Sequence, residues 1–210
     1  MSNTVFRNLL VGAGLAVVAL GSTAAMSETT QIKSDIEAAT IIPAKATPLE
    51  LYLTPEEAHR ALTADRGIIF IDVRDPLEVM FVGHPEGVDK IIPLGIATHE
   101  VDPNTGQYRL VANDDFVADV DALVAKQGKT KMDPIIVSCR SGARSAIAAR
   151  KLIAAGYTNV WSLVEGFEGD KAPDGTRTKN GWRNAGLPWS YKLAPGVAWQ
   201  DCEGPDTRTC

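Results

Sequence analysis

Residues 133–166, DPIIVSCRSGARSAIAARKLIAAGYTNVWSLVEG, contain the segments that decide the fold class. DPIIVSC is a short apolar run rich in β-branched residues, which predicts a strand buried on both faces. The Ala-rich segment ARSAIAARKLIAAGY predicts a helix that ends at Gly156, and NVWSLVEG predicts a further strand. Strand, helix and strand in this order predict a parallel sheet covered by helices.

The residues before this stretch extend the same pattern. Thr54 is a suitable N-cap, Pro55 suits the first helical position, and Glu57 completes a capping box; we place the end of this helix at Gly67. Residues 68–74, IIFIDVR, predict another buried strand. Between these segments and Asp133 we predict a short helix over 76–81, a short strand within 90–94, a small hairpin over 101–111 and an amphipathic helix over 113–128. The fold class is therefore α/β, with a central and mostly parallel sheet flanked by helices.

The N-terminus has the organisation of an export signal. Arg7 supplies a positive charge, residues 9–20 form an apolar core, and Thr23 and Ala25 are small residues at the spacing of a cleavage site. We therefore predict a signal peptide over 1–25, cleaved after Ala25, and a periplasmic or otherwise exported protein. An uncleaved anchor is the alternative, but the apolar core is shorter than the roughly 20 residues that span a bilayer, so no stable membrane span is expected in the mature chain.

The remaining chain divides into an arm, one domain and a tail. Residues 26–48 are polar and contain two prolines, which predicts a linker or a loosely held N-terminal arm. Residues 49–193 form the predicted domain, and residues 194–210 form a C-terminal tail. The formal net charge of the chain is −5, and loss of the signal peptide would make it more negative. Such an acidic chain is not expected to bind nucleic acid by bulk attraction.

The chain has three cysteines, Cys139, Cys202 and Cys210. In an exported protein, Cys202 and Cys210 are candidates for a disulfide that closes a short loop, and two free thiols are the alternative. If those two are paired, Cys139 is the odd cysteine, which indicates a reactive thiol.

Cys139 follows a predicted strand, at the edge of the sheet where ligands bind in open parallel sheets. It begins the segment CRSGAR, residues 139–144, which we call the cysteine loop. Gly142 allows a tight turn, and the helix that begins near Ala143 directs backbone N–H groups toward the loop. Together with Arg140 and Arg144, this arrangement favours an anion and a thiolate. A buried structural cysteine is the alternative, but two arginines and a glycine between strand and helix favour chemistry.

Five motifs occur in an order typical of one family. They are IDVRDPLE at 71–78, GHPEGVDKIIPL at 83–94, VSCRSGARSAIAARKLIAAGYTNV at 137–160, EGF at 165–167 and GWRNAGLPW at 181–189. Over residues 50–192 the chain resembles a rhodanese-homology domain, a thiosulfate-type sulfurtransferase. The resemblance implies a rhodanese-like three-layer fold.

The resemblance also implies a reaction. Cys139 would take a sulfane sulfur from thiosulfate or a related anion, become a persulfide, and transfer the sulfur to a thiol, cyanide or a protein acceptor. Asp72 and Arg74 match family positions that help to hold the active-site loop. The alternatives are an ordinary ion pair at the strand end and direct contact with the substrate. No cofactor is implied, and the three histidines share no metal-ligand spacing, so no metal is expected. The residues that would bind the substrate anion are Arg140, Ser141, Gly142, Ala143 and Arg144.

Two other functions are less consistent with this sequence. A non-catalytic sulfur carrier or partner-binding module is disfavoured by the intact cysteine and arginines. A phosphatase is disfavoured because the related phosphatases and arsenate reductases have a loop one residue longer than the one between Cys139 and Arg144. Ser138 also stands where those phosphatases usually have histidine.

The chain departs from the family pattern at residues 168–180, EGDKAPDGTRTKN, which we call the insertion. It separates EGF from GW, which normally run almost together, and it could overhang the mouth of the site. Its Lys171, Arg177 and Lys179 could attract an anionic donor, or the insertion could be a solvated surface loop.

Overall fold

The computed structural model describes Met1 and residues 31–200 of the 210-residue chain. Apart from Met1, the predicted signal peptide lies outside these residues, and so do Cys202, Cys210 and their predicted disulfide. Within the described part, no helix has both the length and the apolar character needed to cross a membrane.

The described residues contain four α-helices and nine strands. The helices are α1 (Pro55–Ala64), α2 (Pro76–Val82), α3 (Phe116–Lys126) and α4 (Ala143–Ala154). The strands are β1 (Tyr52–Leu53), β2 (Ile69–Asp72), β3 (His84–Pro85), β4 (Lys90–Ile91), β5 (Gly95–Asp102), β6 (Gln107–Ala112), β7 (Ile135–Ser138), β8 (Val160–Leu163) and β9 (Trp189–Ser190).

Five of the strands form the central sheet, in the order β1-β8-β7-β2-β4. Every neighbouring pair in this sheet is parallel. This confirms the predicted α/β fold with a central parallel sheet. In the pairing of β2 with β7, Asp72 lies opposite Ser138, so the two strands end at the same level. The residues that follow them, including Arg74 and Cys139, therefore emerge side by side at one edge.

Helices cover both faces of the sheet, which makes three layers. Side chains alternate across a strand, so Ile69 and Ile71 of β2 point to one face and Phe70 to the other. The first face packs against α3 and α4 through Phe116, Val120, Leu123, Val124, Ala148, Ala149 and Leu152. The second face packs against α1 and α2 through Ala58, Leu62 and Val79, with Phe167 and Trp182 from the chain after β8.

Three predicted elements have clearly different bounds in the structure. The amphipathic helix predicted over 113–128 begins later, at Phe116, and ends at Lys126. The hairpin predicted over 101–111 is longer, because β5 and β6 pair from Gly95 to Ala112. The first helix ends at Ala64 rather than Gly67. The Asp65 side chain accepts the Gly67 N–H at 2.7 Å, and this short turn leads the chain into β2.

The N-terminal arm is held more firmly than its composition predicts. Glu57, the carboxylate of the predicted capping box, accepts the Asp35 N–H at 2.7 Å in addition to its capping bond. Lys45 lies 2.8 Å from the Asp170 carboxylate, which ties the arm to the insertion. Residues 31–48 therefore pack on the domain, because side chains far along the sequence satisfy their polar groups.

The described part of the C-terminal tail follows the edge of the sheet. The carbonyl of Val197 accepts the Ile91 N–H of β4 at 2.7 Å. The Trp199 indole donates to Asp119 of α3 at 2.9 Å. Residues 194–200 therefore remain on the domain surface.

Candidate active site

The Cys139 sulfur lies at the N-terminus of α4 and is almost completely buried, with 1% of the residue exposed. It accepts hydrogen bonds from the backbone N–H groups of Gly142, at 3.2 Å, and Ser145, at 3.3 Å. Two N–H donors and the positive end of the helix dipole stabilise negative charge on sulfur. The sulfur therefore lies where negative charge that develops on it during a reaction would be stabilised.

Other N–H groups of the cysteine loop are unoccupied. Those of Arg140, Ser141, Ala143 and Arg144 have no hydrogen-bond acceptor within residues 31–200. The same four residues line the cleft that opens above the sulfur. Free N–H groups at a helix start form an anion-binding surface.

Two glycines allow this loop to form. Gly142 has φ of +94°, and a Cβ there would lie 2.0 Å from the Val164 carbonyl oxygen. Gly166, in the loop after β8, has φ of +65°, and a Cβ there would lie 2.5 Å from the Cys139 carbonyl oxygen. The two loops therefore pack backbone against backbone, which larger residues would prevent.

The Arg144 guanidinium is paired and does not stand free in the cleft. It donates two hydrogen bonds to the Glu78 carboxylate of α2, at 2.5 and 2.6 Å. Burial favours the neutral form of each group, but the hydrogen bonds and the opposite charge of the partner have a larger combined effect. The pKa of Arg144 is therefore raised and that of Glu78 is lowered. Arg144 therefore links α4 to α2. Glu78 is the last residue of the motif IDVRDPLE, but the sequence alone did not predict that it would bind Arg144.

Arg140 extends toward the insertion. Its Nε donates to the Glu168 carboxylate at 2.9 Å, and its side chain is 42% exposed. Its carbonyl accepts the N–H groups of Glu168 and Gly169 at 2.9 and 3.2 Å. Glu168, the first residue of the insertion, thus fixes the direction of Arg140, and the sequence analysis did not predict this contact.

Asp72 and Arg74 form a fully buried ion pair, with 2.6 Å between Arg74 Nη2 and the carboxylate. The guanidinium also donates to the Gly83 carbonyl at 2.8 Å and lies 4.5 Å from the centre of the Phe167 ring. It therefore links the end of β2 to α2 and to the loop after β8. Neither residue is among those that line the cleft, and the supporting role of the pair remains a prediction.

The cleft above Cys139 has a volume of about 910 Å³. The cysteine loop forms its floor. An apolar wall faces the loop, contributed by α2 and by the β5–β6 hairpin through Leu77, Phe81, Tyr108 and Leu110, all of them exposed. A volume of this size accommodates an organic ligand much larger than a small inorganic anion.

A second cleft of about 550 Å³ adjoins the first, and we call it the basic cleft. The two clefts share Gln107, Arg140 and Arg177. Lys171 and Arg183 also line the basic cleft, and Glu168 is the carboxylate in its lining. Of the three cations considered in the insertion, Arg177 and Lys171 thus lie at the site, whereas Lys179 lines neither cleft.

Two of the three histidines, His59 and His84, have local packing partners. The His59 ring packs edge-on against Trp182, with 5.6 Å between ring centres, and His84 Nδ1 lies 2.9 Å from the Pro85 carbonyl. Across residues 31–200, no three His, Cys, Asp or Glu side chains are grouped as a metal site would require.

Comparison with known proteins places the chain in a family. The profile described as Rhodanese-like domain matches residues 54–172. The thiosulfate sulfurtransferase GlpE of Haemophilus influenzae is 30% identical over 117 residues, which are 56% of this chain and 84% of the relative. The uncharacterised protein RP600 of Rickettsia prowazekii is 28% identical over 138 residues, which are 64% of this chain and 93% of that protein.

A solved structure agrees with these matches. The crystal structure of Rv0390 from M. tuberculosis aligns with a TM-score of 0.52 at 30% identity, covering 67% of this chain and 97% of that one. Because the family profile spans more than half of its residues, the chain belongs to the rhodanese-like domain family.

Proposed function

We propose that this protein is a sulfurtransferase that moves a sulfane sulfur from thiosulfate, or a related anion, to a thiophilic acceptor through a persulfide on Cys139. The observation that carries the proposal is the position of the Cys139 sulfur. It lies at the floor of a cleft, accepts two backbone N–H groups and is surrounded by four more that are free.

The first half-reaction loads the cysteine. The Cys139 thiolate attacks the outer sulfur of thiosulfate and forms a new S–S bond. The S–S bond of the donor breaks, and sulfite leaves with the bonding electrons. The free N–H groups of the cysteine loop stabilise the negative charge on the transferred sulfur and on the departing anion, as the donors of an oxyanion hole do.

The second half-reaction unloads it. A thiolate or cyanide attacks the outer sulfur of the persulfide, and the S–S bond to Cys139 breaks. Cys139 leaves as a thiolate, which Gly142 and Ser145 stabilise through the same two N–H groups. No cofactor takes part in either step.

The relatives support this assignment at the level of the family, since a thiosulfate sulfurtransferase is among them. Loop length disfavours a phosphatase. A non-catalytic sulfur carrier remains the second candidate, because it would need the same persulfide but no acceptor turnover. Export to the periplasm remains a prediction that depends on residues 1–25, and the disulfide remains one that depends on Cys202 and Cys210.

The decisive measurement is thiocyanate formation from thiosulfate and cyanide. We expect Cys139→Ser to reduce turnover by at least about a thousandfold, because the hydroxyl is a far weaker nucleophile than the thiolate. Cys202→Ser is the matched control, since it makes the same substitution at a cysteine outside the cysteine loop in the sequence, and it should leave turnover unchanged. Turnover in Cys139→Ser equal to that of the wild type would refute the mechanism.

Mass spectrometry of the protein after incubation with thiosulfate separates the two candidates. Turnover together with one added sulfur on Cys139 supports the enzyme. Added sulfur without turnover to cyanide or thiols would identify a carrier. Neither turnover nor added sulfur would overturn both candidates.

A further inference from the structure

The basic cleft has more positive charge than its own contacts neutralise. Four cations line it, Arg140, Lys171, Arg177 and Arg183, and Glu168 is the carboxylate among its lining residues. That carboxylate is already bound by Arg140. The Lys171 ammonium has no hydrogen bond or ion pair with any residue from 31 to 200. An excess of cations in a concave site attracts anions.

Arg177 is the residue that connects this charge to the reactive sulfur, because it lines both clefts. One of its terminal nitrogens donates to the Gly169 carbonyl at 2.5 Å, while its buried Nε has no acceptor. Burial and the neighbouring Arg140 guanidinium both lower the pKa of Arg177. Two guanidinium groups so placed repel each other, and an anion bound between them would relieve the repulsion.

Hydrogen bonds within the insertion, and from Asn184 just after it, hold the backbone around Arg177 in place. Asn184 donates from its amide to three carbonyls of the loop, those of Glu168, Arg177 and Asn180. The Asp170 N–H donates to the Asn180 side chain at 2.7 Å. An arginine on such an ordered loop loses less conformational entropy when it binds a ligand. This argues against an unstructured surface loop.

The first cleft indicates what the anion is attached to. Thiosulfate would fill only a small part of about 910 Å³, and the wall of Phe81, Tyr108 and Leu110 suits hydrocarbon. A molecule with sulfur at Cys139, an apolar middle along this wall and a negative group at Arg177 would use all three surfaces. Arginine binds carboxylates with two parallel hydrogen bonds, so a carboxylate suits this position.

We propose that Arg177, assisted by Lys171, forms a second anion subsite, and that the preferred sulfur acceptor is an organic thiol with a carboxylate at a distance from its sulfur. This inference rests on the proposed sulfurtransferase function. The acceptor thiolate attacks the outer sulfur of the Cys139 persulfide, the S–S bond to Cys139 breaks, and the products are the organic persulfide and the Cys139 thiolate. Arg177 binds the remote carboxylate and is a positioning residue.

The test uses two acceptors that differ only in charge at the far end, 6-mercaptohexanoate and 6-mercaptohexanol. Sulfite release is measured with thiosulfate at saturation, and each variant is compared with the wild type on each thiol. We expect Arg177→Gln to lower kcat/KM for the carboxylate about tenfold through KM, and to change that for the alcohol by less than about twofold. Arg177→Lys keeps the charge and should retain most of the preference.

Lys179→Gln is the matched control, because it removes one charge from the same insertion at a residue that lines neither cleft. Its kinetics should be unchanged with both thiols. An equal effect of Arg177→Gln on both thiols would overturn the subsite and leave the sulfurtransferase standing. A raised KM for thiosulfate alone would also overturn it, since Arg177 would then serve the donor. Absence of both thiocyanate formation and thiol-dependent sulfite release in the wild type would instead refute the proposed function.

Discussion

The loops that follow the neighbouring strands β7 and β8 are held in place by different means. The cysteine loop is short and is fixed by backbone contacts, with Gly142 against the Val164 carbonyl and the Cys139 sulfur against two N–H groups. The insertion after β8 is fixed at its first residues by backbone contacts, since Glu168 and Gly169 donate to the Arg140 carbonyl. Beyond these residues it is held by side chains, such as Asn184 and the Lys45–Asp170 ion pair. Backbone contacts tolerate few substitutions, whereas side-chain contacts can be exchanged one at a time.

This difference suggests a division of labour. The cysteine loop must place a sulfur atom to within a fraction of an ångström, and several backbone contacts fix its conformation. The loop proposed to select the acceptor can change Lys171 and Arg177 without altering the position of Cys139, because neither side chain bonds to the cysteine loop. The choice of acceptor can then change without a change in the reaction at Cys139, because the side chains proposed to select the acceptor lie on the insertion and not on the cysteine loop.

The largest difference in stability between the two loops is expected when a glycine with positive φ is replaced by alanine in each of them. Gly142→Ala should lower the free energy of unfolding by about 3 kcal/mol or more, because a Cβ would collide with the Val164 carbonyl in addition to the strain of positive φ. Gly175→Ala, in the insertion, has φ of +85° but no atom within 4 Å of the added Cβ. Its cost should be about 1 kcal/mol.

Urea unfolding of both variants measures this difference. Thiocyanate formation should fall sharply in Gly142→Ala and stay close to that of the wild type in Gly175→Ala. Equal losses of stability at the two positions would contradict the idea that the cysteine loop is the more tightly determined.

An intermediate effect is expected for Glu78→Gln, which leaves Arg144 with a neutral partner. The free energy of unfolding should fall by about 2 kcal/mol near neutral pH, because a charged hydrogen-bonded pair is replaced. The folded state lowers the pKa of Glu78 below the usual 4.5, so this stabilisation is complete above that value and is lost as the pH falls further. The wild type should therefore lose more stability than the variant between about pH 6 and pH 3.

Glu86→Gln is the control for this experiment, since Glu86 is exposed and its side chain has no bonded partner in the described part. Unfolding by urea at several pH values gives both curves. If the two variants show the same dependence on pH, the pair of Glu78 with Arg144 does not stabilise the fold in the way described.

The smallest effect on global stability is expected for Asn184→Ala, which removes three hydrogen bonds at the exposed base of the insertion. We expect a loss of no more than about 1 kcal/mol, together with faster amide hydrogen exchange across residues 168–180. Asn104→Ala, at the exposed tip of the β5–β6 hairpin, is the control and should leave exchange in the insertion unchanged. Faster exchange in the cysteine loop as well would contradict the independence of the two loops.

The parts of this structure that could be predicted from the sequence depend on local signals. The capping box of Thr54 and Glu57, the apolar run that became β7 and the helix start at Ala143 each depend on residues within a few positions of one another. The partners of the two arginines in the cysteine loop could not be predicted in this way. Arg144 binds a carboxylate 66 positions earlier in the chain, and Arg140 binds one 28 positions later.

The same reasoning applies to the contacts of the N-terminal arm. Its polar composition does not show where hydrogen-bond partners such as Glu57 lie. The cleft wall was also missed, because an exposed hairpin of alternating residues gives no indication that Tyr108 and Leu110 face a cysteine. Only the three-dimensional arrangement brings these residues together.

The contact between Val197 and Ile91 has a consequence for the behaviour of the protein at high concentration. An edge strand with free N–H and C=O groups can pair with the edge of another molecule, which is a route to aggregation. Here β4 is only two residues long, and the tail carbonyl already accepts its Ile91 N–H. The seven described residues of the tail thus protect one side of the sheet from uncontrolled self-association.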